Sequence, residues 1–200
     1  MYRLYNFPPS GNCYKVRLLL TQLGLPFECV NANILQQETR RPEFLQKNPN
    51  GKVPVLETES GEFLTESNAI LIYLANDTQF YRSDRLQQAE ILKWLFFEQS
   101  SLGANLSRPR FWISVVKQAD QFAALIDYHH RLGKAALDVL EQQLTNRLFL
   151  VDDRYSIADI AIYSYVHVAD EGGYDLTKFP AIQAWCERVR SQPNYISITA

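Results

Sequence analysis

The feature that most constrains this chain is a change in hydrophobic period near residue 80. Before that point, short segments such as residues 1–7 and 27–31 have the period of two that is typical of β-strands. Stretches with helical spacing separate them, and the predicted order of elements is β-α-β-α-β-β-α. A helix that connects two strands within about thirty residues predicts a βαβ unit with parallel strands.

Beyond residues 77–84, which we predict to be a linker, the strand signals disappear. Helical spacing instead marks residues 86–106, residues 119–144 and two further segments that begin at Ser156 and Pro180. Ser156 and Asp159 have the spacing of a capping box at the start of a helix. The sequence therefore predicts an α/β domain at residues 1–76 and an all-helical domain at residues 85–200.

Composition and charge argue against several classes of protein. The formal net charge is −2 and there is no basic run, which disfavours a nucleic-acid-binding protein. No segment approaches the about 20 consecutive apolar residues that cross a bilayer, and we expect no secretion signal at the N-terminus. The few cysteines form no C-x-x-C pair and fit a reducing compartment, and the few histidines form no ligand cluster. We expect a cytoplasmic protein that binds no metal, nucleic acid or membrane.

A candidate thiol-activating group lies in residues 9–13, with the sequence P-S-G-N-C, between the first strand and the first helix. The free backbone N–H groups at a helix N-terminus favour a nearby anion, and the Ser10 hydroxyl can donate a hydrogen bond to it. A thiolate is such an anion, and a free thiol with a pKa of ~8.5 is largely protonated at neutral pH. Alternatively, Ser10 only caps the helix.

Two further segments can bind the ends of a small peptide. In residues 48–55, with the sequence N-P-N-G-K-V-P-V, a cis Val53–Pro54 bond would turn the Val53 backbone toward an extended ligand, although most X–Pro bonds are trans. In residues 66–70, with the sequence E-S-N-A-I, Ser67 and the first helical N–H groups can hold a carboxylate. Glu66 can pair with an ammonium group, whereas an ordinary helix cap is the alternative interpretation.

In this order and spacing, the three segments resemble the cytosolic glutathione transferase family, of the bacterial-like serine type. The S-I-A-D capping box extends the resemblance over essentially the whole chain. The resemblance implies a thioredoxin-like N-terminal domain, a helical-bundle C-terminal domain and a homodimer. It also implies that glutathione is a co-substrate and that no other cofactor is needed.

The resemblance assigns a role to each matching residue. Ser10 is similar to the serine that activates the glutathione thiol. Val53, beside a cis Pro54, would pair with the cysteinyl backbone of glutathione, and Glu66 and Ser67 would hold its γ-glutamyl end.

Two positions depart from the patterns of related families. Related serine-type proteins often have a histidine where this chain has Thr39, so Lys52 and Arg40 are the cations left for the glycine carboxylate of glutathione. Tyrosine-type families carry their tyrosine at the position of Asn6. Tyr5 is adjacent, but on a strand its side chain should point to the opposite face.

The second substrate is expected, from the resemblance, in a cleft between the two domains. The helical half would contribute Arg108, Phe111 and Trp112, although aromatic residues here could equally belong to the core. Cys13 has no resolving partner, and we expect it to pack as a small buried side chain.

The sequence thus predicts a glutathione transferase in which Ser10 activates the glutathione thiol for attack on a hydrophobic electrophile. One alternative is a glutathione-dependent disulfide reductase on the same fold. Another is a non-catalytic module that binds glutathione or a protein.

Overall fold

The N-terminal unit is built on a four-stranded sheet. The computed structural model describes residues 1–200. The strands are β1 (Tyr2–Asn6), β2 (Phe27–Asn31), β3 (Val55–Glu57) and β4 (Phe63–Thr65), in the spatial order β2-β1-β3-β4. β1 and β2 are parallel, whereas β3 is antiparallel to both β1 and β4. The parallel pair confirms the predicted βαβ unit.

Three helices complete this unit, α1 (Gly11–Gln22), α2 (Pro42–Leu45) and α3 (Ser67–Ala75), which confirms the predicted thioredoxin-like order. Alternation along β1 separates the two faces of the sheet, because successive strand residues point in opposite directions. Leu4 is fully buried opposite Leu56 of β3. The next residue, Tyr5, is on the other face and packs with a second apolar cluster that includes Phe44 of α2.

The second unit is helical throughout and spans Asp77–Gln192. Its α-helices are α4 (Arg85–Phe97), α5 (Gly103–Arg110), α6 (Ala123–Leu144), α7 (Ile157–Val166) and α8 (Pro180–Arg190), and single π-helical segments follow α4 (Glu98–Leu102) and α5 (Phe111–Val115). The predicted all-helical domain is therefore confirmed. None of these helices has the length and apolar character to cross a membrane.

α5 contains Pro109 but continues through it to Arg110 and then widens into the π-helical segment Phe111–Val115. Proline has no backbone N–H and cannot bond to the carbonyl four residues earlier, which here belongs to Asn105. That carbonyl instead accepts a hydrogen bond of 2.7 Å from the hydroxyl of Tyr174. The helix continues because a tertiary contact satisfies the acceptor that proline leaves open.

The predicted capping box is present at the start of α7. The Ser156 Oγ accepts from the Ala158 N–H at 3.3 Å, and the Ser156 N–H donates to the Asp159 carboxylate at 3.0 Å. The Leu150 N–H and the Trp185 indole also donate to this carboxylate, each at 3.0 Å. Asp159 is fully buried, and burial raises its pKa to about 6. One carboxylate therefore joins three parts of the helical unit.

The last eight residues were predicted to belong to the helical domain, and this assignment is wrong. Pro193–Ala200 form part of the N-terminal unit. The Tyr14 hydroxyl donates to the Ile196 carbonyl at 2.8 Å, and the Arg17 guanidinium donates to the Ile198 carbonyl at 2.6 Å. The Ile198 side chain is buried. Contacts with α1, rather than position in the chain, decide where this segment belongs.

Residues 77–84, the predicted linker, pack with the helical unit. Phe80 is buried, and its carbonyl accepts from the Ile157 N–H at 3.0 Å. The buried Arg82 guanidinium donates to the Arg154 carbonyl at 2.9 Å. An aromatic ring and a cation anchored in this way make the segment an ordered part of the second unit.

Replacing the buried carboxylate tests its role in stability. Asp159→Asn should lower the free energy of unfolding at pH 7 by about 2–4 kcal/mol. Both carboxylate oxygens accept hydrogen bonds from N–H groups, so the amide NH2 of asparagine would face a donor and leave it without an acceptor. Urea denaturation measures this difference. Asp138→Asn is the matched control, since Asp138 is on the surface of α6 in an exposed pair with Lys134, and it should change stability by less than about 0.5 kcal/mol.

The pH dependence of stability should also change in Asp159→Asn. Because the folded-state pKa of Asp159 is raised to about 6, the folded protein takes up this proton more readily than the unfolded chain. The resulting stabilisation is lost as pH rises through about 6, so wild type should gain stability relative to the variant between pH 7 and pH 5. A wild-type advantage that stays constant over this range would contradict the assignment.

Candidate functional site

A cavity of about 480 Å³ opens at the junction of β1 and α1. Its lining comes from three segments of the N-terminal unit, and includes Ser10, Gln37, Thr39, Arg40, Lys52 and Val53. Three predicted site residues, Ser10, Lys52 and Val53, therefore line one cavity. Arg40 and Thr39, the residues discussed for the glycine end of glutathione, line the same cavity. Glu66 and Ser67 are not part of this lining.

Ser10 is the N-cap of α1, a helix of 12 residues with no acidic side chain in its first turn. Its Oγ accepts a hydrogen bond of 3.3 Å from the Cys13 N–H. The hydroxyl hydrogen can still be donated, because a serine oxygen accepts and donates at the same time. The partial positive charge of the helix N-terminus favours an anion at this position. Ser10 is thus both the cap and a donor available to the cavity.

The Val53–Pro54 bond is cis, as the resemblance implied. Pairing of β3 with β1 begins only at Val55, so the Val53 backbone precedes the sheet. Val53 packs against the apolar cluster of Phe44 and Val55 while it also lines the cavity. The arrangement leaves an extended backbone segment next to the cavity.

The loop before Val53 is held by Asn48, a residue to which the sequence analysis gave no role. The buried Asn48 side chain donates to the Lys52 carbonyl at 2.7 Å and accepts from the Asn50 N–H at 3.0 Å. Gly51 has a φ of +62°, which L side chains rarely adopt, and an added Cβ would lie 3.0 Å from the Thr39 carbonyl oxygen. The N-P-N-G string therefore encodes a tight turn whose backbone conformation favours glycine.

Two cations lie at the cavity edge, as expected for an anionic ligand end. Arg40 and Lys52 are exposed, and Arg40 donates to the Asn50 carbonyl at 3.1 Å. Thr39, at the position where related serine-type proteins often have a histidine, is buried in the cavity wall. Arg40 makes no ion pair with a carboxylate within the chain, so its charge remains available to a ligand.

The start of α3 carries a second polar cluster. Ser67 is buried, and its Oγ accepts from the Lys15 Nζ at 3.2 Å and donates to Asn12 Oδ1 at 3.3 Å. Glu66 is exposed, has a φ of 65° that non-glycine residues rarely adopt, and makes no side-chain cap to α3. The sequence does not reveal that Lys15 is buried, because polar and apolar residues are interspersed along α1 and do not mark one face as buried.

Cys13 is fully buried, and its Sγ accepts from the Phe7 N–H at 3.4 Å. Burial raises the pKa of this thiol to about 11. A nucleophilic cysteine needs access and a lowered pKa, and Cys13 has neither. It therefore packs as a small apolar residue, as predicted.

Tyr5 does not line the cavity that Ser10 lines. Its hydroxyl donates to Glu57 at 2.9 Å, and its ring lies edge-on to Phe44 on the face away from α1. Burial raises the pKa of the phenol, and the bond to Glu57 adds to the effect. At the neighbouring tyrosine-type position, Asn6 accepts from Arg17 of α1 at 2.6 Å.

The three residues predicted for a second substrate lie in and just before the π-helical turn after α5. Arg108 is exposed, with its guanidinium 3.4 Å from Nε2 of the buried His129. Burial lowers the pKa of His129, and the nearby Arg108 lowers it further. Trp112 stacks on Phe122 with 4.8 Å between ring centroids, and Phe111 is half-buried. Their role in binding a second substrate stays a prediction.

Comparison with protein families identifies both parts of the chain. The model of the glutathione S-transferase N-terminal domain matches residues 1–76, and the model of its C-terminal domain matches residues 107–193. A solved glutathione S-transferase from Pseudomonas fluorescens has a TM-score of 0.98 and 46% sequence identity. The match covers 100% of this chain and 99% of that protein.

Two curated proteins are similar along nearly their whole length. The chain is 34% identical over 200 residues to the disulfide-bond oxidoreductase YfcG of Escherichia coli (strain K12). It is 31% identical over 213 residues to glutathione S-transferase 1 of Schizosaccharomyces pombe. Each match covers 96% of this chain and 92% of the relative.

Thiol labelling tests the environment of the three cysteines. Native protein should react with an aromatic disulfide reagent at one thiol per chain, because Cys29 is exposed whereas Cys13 and Cys186 are buried. All three thiols should react after denaturation. Cys29→Ser should abolish native labelling, whereas the control Cys13→Ser should leave it unchanged. Rapid native labelling of Cys29→Ser would show that a buried thiol is accessible.

Proposed function

The chain belongs to the glutathione S-transferase family, and from that membership we propose that it activates the thiol of glutathione through Ser10 for attack on a hydrophobic electrophile. The observation that carries the proposal is a single cavity lined by Ser10, Arg40, Lys52 and Val53 at the N-terminus of α1. One small ligand in this cavity could therefore contact the Ser10 hydroxyl, the Val53 backbone and the two cations.

The charges at the two ends of glutathione support this assignment. Its glycine end is a carboxylate, which the exposed Arg40 and Lys52 would bind. Its γ-glutamyl end carries a carboxylate and an ammonium group, for which Ser67 and the exposed Glu66 are the proposed partners. The cysteinyl backbone would pair with Val53 between them.

Ser10 would act as a hydrogen-bond donor to the glutathione sulfur. Since its Oγ already accepts from the Cys13 N–H, the hydroxyl hydrogen can point to a thiolate. The N-terminus of α1 adds partial positive charge, so the thiolate is favoured and the thiol proton passes to solvent. The thiolate then forms a C–S bond with the electrophile, and the leaving group departs with its electron pair. Positioning and thiolate stabilisation supply the rate gain.

A second candidate is a glutathione-dependent disulfide reductase, and the similarity to YfcG favours it. Here the glutathione thiolate attacks one sulfur of a disulfide, the S–S bond breaks, and one thiolate leaves. A second glutathione then attacks the mixed disulfide and releases glutathione disulfide together with the other thiol. The buried Cys13 takes no part, so Ser10 has the same role in both reactions.

Ser10→Ala tests the proposal. The variant should lower kcat/KM at pH 7 by about 10- to 100-fold, since a hydrogen bond to a charged group contributes about 1.5–3 kcal/mol. The affinity for glutathione should change by less than about threefold. The pKa of the bound thiol, followed by thiolate absorbance against pH, should rise toward the value of free glutathione.

Two variants serve as controls for this test. Ser10→Thr retains the hydroxyl and should retain activity, and Cys13→Ala should be nearly as active as wild type. Loss of activity in Cys13→Ala but not in Ser10→Ala would overturn the assignment. Wild-type rates with an aryl halide and with a small dialkyl disulfide decide between the two reactions. An unshifted thiol pKa in the wild-type complex would favour the non-catalytic binding module.

We also propose that the protein is a homodimer, as the family resemblance implies. Large apolar side chains are exposed on three helices, including Tyr73 on α3, Phe96 on α4 and Leu132 on α6. Exposed apolar surface of this kind is typical of protein–protein contacts. Light scattering at micromolar concentration should give twice the chain mass of 23.1 kDa, and a mass of 23.1 kDa would contradict the proposal.

A further inference from the structure

Lys15 is a fully buried lysine in the middle of α1. Its Nζ donates to Ser67 Oγ at 3.2 Å and to Asn68 Oδ1 at 3.1 Å. Both acceptors belong to the first turn of α3. Burial of an ammonium group is costly unless polar partners compensate for the lost water, and lysine is among the residues least often found fully buried. Lys15 therefore directs two of its donors to the start of α3.

The hydrogen-bond chemistry fixes the direction of the Ser67 hydroxyl. An ammonium group has three donors and no acceptor, so Ser67 Oγ must be the acceptor in its contact with Lys15. The Ser67 hydrogen then points to another acceptor, which in this structure is Asn12 Oδ1 at 3.3 Å. The bond from Lys15 thus leaves the Ser67 hydroxyl hydrogen free to be donated to an acceptor on the side away from Lys15.

We propose that Lys15 is a positioning residue for the γ-glutamyl carboxylate of glutathione. It orients the Ser67 hydroxyl as a donor to that carboxylate. This inference rests on the proposed function, because it assumes that Ser67 binds the carboxylate. Lys15 itself is buried behind Ser67 and acts through it.

Two physical effects favour a carboxylate as the acceptor of the Ser67 hydroxyl. A hydrogen bond from a hydroxyl strengthens when a cation polarises its oxygen, because hydrogen bonds in a chain reinforce one another. The backbone N–H groups at the start of α3 carry partial positive charge, which also favours a negative ligand group.

The experiment compares two ligands that differ only in this carboxylate. They are glutathione and 4-aminobutyryl-cysteinylglycine, in which a hydrogen replaces the α-carboxylate of the γ-glutamyl group. Titration calorimetry at pH 7 gives the ratio of their dissociation constants. Lys15→Met keeps a long side chain without the charge, and should reduce the wild-type preference for glutathione about tenfold or more. Binding of the analogue should change by less than about threefold.

Two further variants separate positioning from simple destabilisation. Arg17→Met removes another buried cation from α1, but Arg17 bonds to Asn6 and to the Ile198 carbonyl rather than to α3. It should lower stability without changing the ligand preference. Lys15→Arg keeps the charge and should retain most of the preference, whereas a merely space-filling role would be met equally by methionine.

If Lys15→Met does not fold, the wild-type protein still decides the question. The 15N resonance of the Lys15 ammonium should shift when glutathione binds and remain nearly unchanged when the analogue binds. Equal shifts with both ligands would overturn the inference.

The outcomes distinguish the inference from the proposed function. If wild type prefers glutathione over the analogue and Lys15→Met keeps that preference, Lys15 is not a positioning residue and the proposed function stands. If wild type does not bind glutathione at all, the proposed function fails and the inference fails with it.

Discussion

The burial of two cations on α1 is the constraint on which the N-terminal unit depends. Lys15 bonds to the first turn of α3, and Arg17 bonds to Asn6 of β1 and to the Ile198 carbonyl near the C-terminus. A buried charge is costly unless polar partners compensate for the lost water, so these partners must stay in register with α1. Both helix N-termini of the candidate site, those of α1 and α3, are held by this one set of bonds.

The chemistry of the candidate site depends on which groups are accessible there and which are buried. Cys13 is at the start of α1 but is buried, with a pKa raised to about 11, so the protein offers no thiolate of its own there. It offers a hydroxyl, the backbone N–H groups of a helix start and two exposed cations. Such a site suits a ligand that brings its own thiol, which is the basis of the proposed function.

The helical unit shows the same reliance on a few buried polar contacts. The Asp159 carboxylate accepts from Ser156, Leu150 and Trp185, which joins the start of α7 to the preceding loop and to α8. The Tyr174 hydroxyl satisfies the carbonyl that Pro109 leaves without a backbone donor. Within a bundle built largely of apolar side chains, these bonds select one arrangement among many that bury similar apolar area.

The sequence by itself determined the order of the elements, the capping box of Ser156 and Asp159, and the three segments that form the candidate site. Each of these depends on local patterns, namely hydrophobic period, capping residues and turn composition, which a few neighbouring residues specify. Only the tertiary structure decided that Lys15 is buried, that residues 193–200 join the N-terminal unit and that α5 continues through Pro109. These features depend on contacts between residues far apart in the chain, as between Lys15 and Ser67, and no local pattern encodes such a contact.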